Sequence, residues 1–300
     1  MNFKKFIKIV SLTVVVCMII LIGVNTASYI ITSNVSTSES ATEKVKGNHI
    51  NFLILATDKG GLLTDTIMFA SFDKNRKLIN IMSLPRDTRV QTKNGGHVKL
   101  NAIYGLGKEG KRQDYVIEKV NEILGLPIHY YLVVDPAGFR NVIDILGGVE
   151  IDVPMRMYYY DPTQNLKIDL QKGLQVLDGK KAEQFCRFRS GYASADLGRI
   201  DAQQMFIKEL FKQKLKPKYI LKAKSIFKEI SENIDTNIKL GDITKFIPIL
   251  NAMTSDGIET YTLPGEARMY GDASFYSYDR EEIDALISEK FLNEVEEDEE

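Results

Sequence analysis

Two aspartates and a set of arginines carry the types and spacing that could hold a metal ion and a phosphate. Asp58 follows one apolar run and Asp65 precedes the next. If these runs are neighbouring strands, both carboxylates reach one edge of a sheet. Such an edge suits a hard cation, because Mg2+ takes one or two carboxylates and completes its shell with water and phosphate oxygens. Taken singly, an aspartate at a strand end is more often a turn former or a helix cap. Ser83-Leu84-Pro85-Arg86-Asp87-Thr88 follows a third apolar run. Its proline ends the strand ladder and leaves Arg86 at the sheet margin. A guanidinium there can fork onto a phosphate, or simply pair with Asp87 on the surface.

The third constellation is Phe185-Cys186-Arg187-Phe188-Arg189, followed by Asp196-Leu197-Gly198-Arg199-Ile200-Asp201-Ala202-Gln203. Arg199 and Gln203 are four apart and share one face of a helix. They lie in its first turns, where free backbone N–H groups and the helix dipole favour an anion. Arg187 and Arg189 point the same way if their segment is extended. Four basic or amide groups near a helix start make a phosphate site, and a solvated basic face is the alternative.

The elements that must position these groups alternate between strand and helix. His49 to Ala56 is a short apolar run that enters a loop at Thr57-Asp58-Lys59-Gly60-Gly61. Thr66–Phe72 and Leu78–Leu84 predict a hairpin turning at Asp73-Lys74-Asn75. Gln113–Leu124 has a helical period, Ile128–Val134 returns to strand, and Pro136–Leu146 is a helix closed by Gly147-Gly148. Val149–Val153 is a further strand. After Gly179 the pattern is mostly helical, over Leu197–Lys214, Lys218–Ile230 and Leu240–Met253, with a late strand at Ile258–Leu263. The fold class is therefore α/β, a mixed central β-sheet covered by helices in a single domain over 49–292. Residues 293–300 form an acidic tail.

Before that domain, Lys4, Lys5 and Lys8 precede an apolar run without a charge from Ile9 to Val24, and the first acidic residue is Glu39. The uncharged stretch can cross a hydrocarbon core of roughly 30 Å. The lysines place residues 1–8 in the cytoplasm, with a single transmembrane anchor over 9–31 and a polar extracytoplasmic linker over 32–48. Cleavage as a signal peptide is the rival reading. The 300 residues carry a net charge of -1, which excludes a global basic field for nucleic acid. Cys17 and Cys186 lie in different environments and predict no disulfide, and Cys186 reads as a small buried residue.

Several segments in order resemble the LytR-CpsA-Psr family over roughly residues 50–215. They are Thr64-Asp65-Thr66-Ile67-Met68, Leu84-Pro85-Arg86-Asp87-Thr88, Lys99-Leu100-Asn101-Ala102-Ile103-Tyr104, Asp144-Ile145-Leu146-Gly147-Gly148-Val149, Leu177-Asp178-Gly179, and Arg187 through Arg199 to Gln203. The resemblance implies an apolar tunnel for a polyprenyl chain with a pyrophosphate site at its mouth. It implies that Asp58 and Asp65 hold Mg2+, with Mn2+ an alternative. Arg86, Arg187, Arg189, Arg199 and Gln203 would bind the pyrophosphate, and Arg86 and Asp196 would be catalytic, Asp196 as proton acceptor. The chain departs from the family at Leu63 and Ala202, where arginine is usual. The implied activity moves an anionic glycopolymer (teichoic acid, capsule or another secondary wall polymer) from a polyprenyl-pyrophosphate carrier to peptidoglycan at the cell membrane. Hydrolysis of the same lipid pyrophosphate and non-catalytic lipid-glycan binding are the alternatives.

Overall fold

A computed structural model describes residues 49–161, 166–192, 195–214, 223–240, 242 and 257–292. The expected anchor, linker and acidic tail, and nearly all of the expected Leu240–Met253 helix, lie outside these residues. Among the described residues no helix is long and apolar enough to cross a membrane.

The sheet is organised around β1 (His49–Thr57), whose side chains are buried on both faces. Ile50 and Phe52 enter one core and Leu53 and Leu55 the other. Burial on both sides explains why this strand reads as a continuous apolar run. β2 (Thr64–Asp73) lies antiparallel to β1, and β3 (Leu78–Ser83) lies antiparallel to β2. The turn between β2 and β3 is closed by Asp73, whose Oδ1 accepts the N–H groups of Asn75 and Arg76 at 2.8 and 3.0 Å.

After β3 the chain forms a small hairpin, β4 (Arg89–Gln91) and β5 (His97–Lys99), then helices α1 (Leu100–Leu106) and α2 (Arg112–Leu124). β6 (Tyr130–Val134) returns parallel to β1 on the side away from β2. Helix α3 (Pro136–Ile145) follows, N-capped by Asp135, whose carboxylate accepts the Gly138 N–H at 2.6 Å. Two antiparallel ribbons come next: β7 (Val149–Val153) pairs with β10 (Gly173–Leu177), and β8 (Met157–Asp161) with β9 (Leu166–Leu170). Helices α4 (Gly179–Arg187), α5 (Ala195–Lys214) and α6 (Ala223–Ile230) lead to β11 (Asp235–Thr236) and β12 (Ile258–Thr262). A last hairpin, β13 (Gly265–Tyr270) with β14 (Ala273–Tyr278), precedes α7 (Arg280–Leu286), which continues as a π-helical turn.

The six-stranded sheet has the order β11-β6-β1-β2-β3-β12 and is mixed. Helices α3 to α6 cover one face and α1, α2 and α7 the other. Strands β1, β3, β6 and β12 run in one direction, so their C-terminal ends and the start of β2 meet at one edge. That edge carries Asp58, Asp65 and Arg86. On the first face, Phe206 stands 5.8 Å from the Phe139 ring and 6.4 Å from that of Phe185. Fully burying one such ring contributes about 1.5–3 kcal/mol.

Candidate functional site

Asp65 stands at an irregularity in the sheet. Ala56 pairs with Thr66 and Thr57 with Thr64, so Asp65 is the extra residue of a β-bulge. A bulge bends its strand and re-aims a side chain off the ladder. Here the carboxylate meets Arg86, with Nη1 to Oδ1 at 2.6 Å and side chains 24% (Arg86) and 35% (Asp65) exposed. Arg86 is held in turn by its own backbone. The Thr88 N–H and hydroxyl both bond to the Pro85 carbonyl, and the Asn101 N–H bonds to the Arg86 carbonyl at 3.0 Å. The proline therefore does end the strand and sets Arg86 at the sheet margin.

Arg199 reaches the same residue from the other side. It lies in the first turns of α5, is only 3% exposed, and its Nη2 donates to the Asp65 carbonyl at 3.2 Å. Gln203, one turn further along and 8% exposed, donates to the Cys186 carbonyl at 3.1 Å. That bond ties α5 to the C-terminal end of α4, beside Arg187. Two guanidiniums thus converge on Asp65, one on its carboxylate and one on its carbonyl.

The remaining arginines stand differently from the extended arrangement considered above. Arg187 is the last residue of α4, and its Nη1 pairs with Glu183 one turn back at 2.8 Å. The alternation of Arg187 and Arg189 with apolar residues does not make a strand, because the helical period of α4 buries Ala182 and Phe185 and runs through Arg187. Arg189 lies beyond the helix, partly buried, in a turn closed by the Tyr192 N–H on its carbonyl. Glu183 also takes Arg140 Nη1 at 2.6 Å, so a single carboxylate organises two arginines. Arg140 carried no signal in the sequence, since only the packing of α3 on α4 brings it there.

Asp58 forms the turn that a strand-end aspartate commonly forms. Its Oδ1 accepts the N–H groups of Leu62 and Leu63 at 3.0 and 3.1 Å, and its own N–H bonds to the Leu63 carbonyl. The loop from Asp58 to Asp65 is braced from outside by Arg112, whose Nη1 donates to the Gly61 carbonyl at 3.3 Å. It is also pressed by α1 at Gly105, where a Cβ would stand 2.7 Å from the Leu62 carbonyl. As a donor type, a pair of carboxylates suits a hard cation such as Mg2+ rather than a metal that takes thiolate or imidazole. Asp196 belongs to the first turn of α5, and its side chain lies outside the described residues.

Other groups stand near this edge, among them the Asp87 that the sequence offered as a partner for Arg86. Lys99 Nζ pairs with Asp87 at 3.0 Å, and Asp87 also lies 3.8 Å from Arg86 Nε. Gln204 Nε2 donates to Ser83 Oγ, the Tyr261 carbonyl and Thr262 Oγ1 at 2.9–3.2 Å, pinning α5 to the ends of β3 and β12. The Cys186 thiol is pushed far above its ordinary range by burial and by Glu183, so it stays protonated and inert. Burial also raises the Tyr192 phenol to about 12.

Fold and site define an α/β protein with two arginines meeting a bulged aspartate at one sheet edge. The chain belongs to the LytR_cpsA_psr family, whose model matches residues 18–291. It is 32% identical over 231 residues to the polyisoprenyl-teichoic acid–peptidoglycan teichoic acid transferase TagV of Bacillus subtilis, a match covering 76% of this chain and 57% of that protein. It is 30% identical over 247 residues to the corresponding transferase TagU of Oceanobacillus iheyensis, covering 80% of this chain and 74% of TagU. The crystal structure of B. subtilis TagV superposes with a TM-score of 0.69 at 28% identity, covering 82% of this chain and 98% of that one.

Proposed function

We propose that this protein transfers an anionic glycopolymer from a polyprenyl-pyrophosphate carrier to a peptidoglycan hydroxyl. The observation that carries the reading is the convergence of Arg86 and Arg199 on Asp65 at the open edge of the sheet. A pyrophosphate there meets two guanidiniums held by backbone contacts, which neutralise charge as the bridging bond lengthens. The acceptor oxygen attacks the phosphorus nearest the glycan and forms a new P–O bond. The bond from that phosphorus to the bridging oxygen breaks, and polyprenyl monophosphate leaves. The hydroxyl proton passes to a carboxylate base, assigned to Asp196. Gln203 on α5, Arg187 at the end of α4 and Arg189 in the turn after it are assigned to the same pyrophosphate.

Asp58 and Asp65 are the residues that would hold Mg2+, which when bound supplies charge neutralisation to the phosphate oxygens. In the same reading, residues 9–31 anchor the chain in the cell membrane and the domain faces the wall, where carrier and acceptor both reside. The names of TagV and TagU support the reading, as does the family match over residues 18–291.

The test is product analysis with the full chain in detergent, a short polyprenyl-pyrophosphate-linked polymer and uncrosslinked peptidoglycan. Polymer covalently bound to glycan together with polyprenyl monophosphate is the expected result. Free polymer with no glycan linkage would instead identify a hydrolase.

A further inference from the structure

A polar cleft of about 340 Å3 opens between the β4–β5 hairpin, α2 and the β13–β14 hairpin. Its charged lining is unequal. Glu122 is taken by Lys119, whose Nζ lies 2.7 Å from it, leaving Arg89 and His97 on the opposite wall. Among the described residues Arg89 makes no ion pair, and its Nε is buried without a hydrogen-bond acceptor. The guanidinium instead lies on the Tyr270 ring, 4.2 Å from its centroid. Stacking fixes the plane of the group and confines its hydrogen bonding to the edge. A half-buried arginine held this way, with donors unused, is arranged for an anion that the protein itself does not supply.

The position of the cleft matters as much as its charge. Arg89 is three residues along the chain from Arg86, a separation of at most about 10 Å between their Cα atoms. The bridge from Thr88 to Tyr276 and the bond from the Tyr276 N–H to the Asp87 carbonyl fasten the β13–β14 hairpin to this same segment. The cleft and the Arg86 corner are therefore mechanically joined.

We propose that this cleft is a second anion subsite, which holds a phosphodiester of the polymer being transferred while Arg86 and Arg199 hold the pyrophosphate. Arg89 anchors the phosphate, Tyr270 is its platform, and His97 stands at the rim. The proposal rests on the transfer reading for the identity of its ligand, and on the cleft alone for its anion binding. A charge-assisted hydrogen bond of about 1.5–3 kcal/mol corresponds to roughly a 10- to 150-fold change in affinity.

The test follows the Arg89 Nε–Hε resonance by NMR in the full chain in detergent while bis(glycero)phosphate, a soluble phosphodiester, is titrated. Arg89→Lys assigns the signal, and the titration is repeated in Arg86→Ala. We expect a saturable shift that survives Arg86→Ala, is retained in Tyr270→Phe, and is absent with neutral N-acetylglucosamine oligomers. In transfer assays Arg89→Gln should raise KM for a long polymer donor at least tenfold more than for a donor with no phosphodiester. A shift that vanishes with Arg86→Ala overturns the proposal, as does saturation by a carboxylated muropeptide but not by the phosphodiester. If transfer itself fails in the unaltered protein, the NMR arm still decides whether the subsite exists.

Discussion

Arg199→Met separates a group that acts on substrate from one that holds the fold. Arg199 is almost wholly buried, and its Nη2 donates to the Asp65 carbonyl at 3.2 Å. Losing a hydrogen bond from a charged donor costs about 1.5–3 kcal/mol. Replacing the cation with an apolar chain of similar length removes the desolvation penalty and returns about 1.5–3 kcal/mol of burial. For this contact the two effects nearly cancel, and about 1 kcal/mol in a domain of this size shifts Tm by roughly 2–4 °C. Removing a preorganised donor from a developing negative charge, by contrast, lowers rate by about 100- to 1000-fold. The assay pairs a thermal melt with single-turnover transfer at saturating acceptor. A nearly unchanged melt with a rate down by two orders of magnitude is expected. A melt lowered by ten degrees or more, with transfer reduced only in proportion to the folded fraction, would show that Arg199 is a structural residue and refute the reasoning.

Three further outcomes follow from the geometry. Gln204→Ala removes an amide with three acceptors and should lower stability by about 1–3 kcal/mol, read as a fall in the urea midpoint at constant m. Gly105→Ala drives a methyl toward the Leu62 carbonyl, so kcat/KM should fall severalfold while the melt moves little, because alanine favours the helix by about 1 kcal/mol; unaltered kcat/KM would show that the Asp58–Asp65 loop is not needed. Burial lowers the pKa of both His49 and His129, and His129 Nδ1 must stay unprotonated to accept the Asn51 N–H at 3.0 Å. The unfolded chain therefore takes up protons below about pH 6.5 that the folded rings refuse. The stability they contribute is present above that pH and is lost as pH falls through the lowered values. The urea midpoint should be lower at pH 5.5 than at 7.5, and an equal or higher midpoint at pH 5.5 would contradict this.

How much of this was legible depended on how each element is buried. β1 and β3 announced themselves because both of their faces are covered, and the β2–β3 hairpin because Asp73 closes its turn. The period of α2 was readable from Val116, Val120, Ile123 and Leu124, which form its buried stripe. The β13–β14 hairpin was not, since every β13 residue is exposed and no alternation marks it. Arg187 was open to a strand reading because Cys186 and Phe188 flank it, whereas the helix is fixed by Asp178, which caps the Lys181 N–H at 2.8 Å. Asp58 and Asp65 were rightly placed at adjoining strand ends, but nothing in their spacing revealed a bulge at one and a loop-closing turn at the other. Arg140 and Gln204 depend on contacts between elements far apart in sequence, which no local pattern encodes.

The most direct measurement is transfer by Arg86→Ala, because Arg86 makes the 2.6 Å contact that defines the site. A melt run beside the transfer assay separates loss of this partly buried pair from loss of the fold. A protein that melts normally yet attaches polymer to glycan about 100-fold more slowly is the predicted result. A folded Arg86→Ala protein that attaches polymer at the unaltered rate would contradict the account.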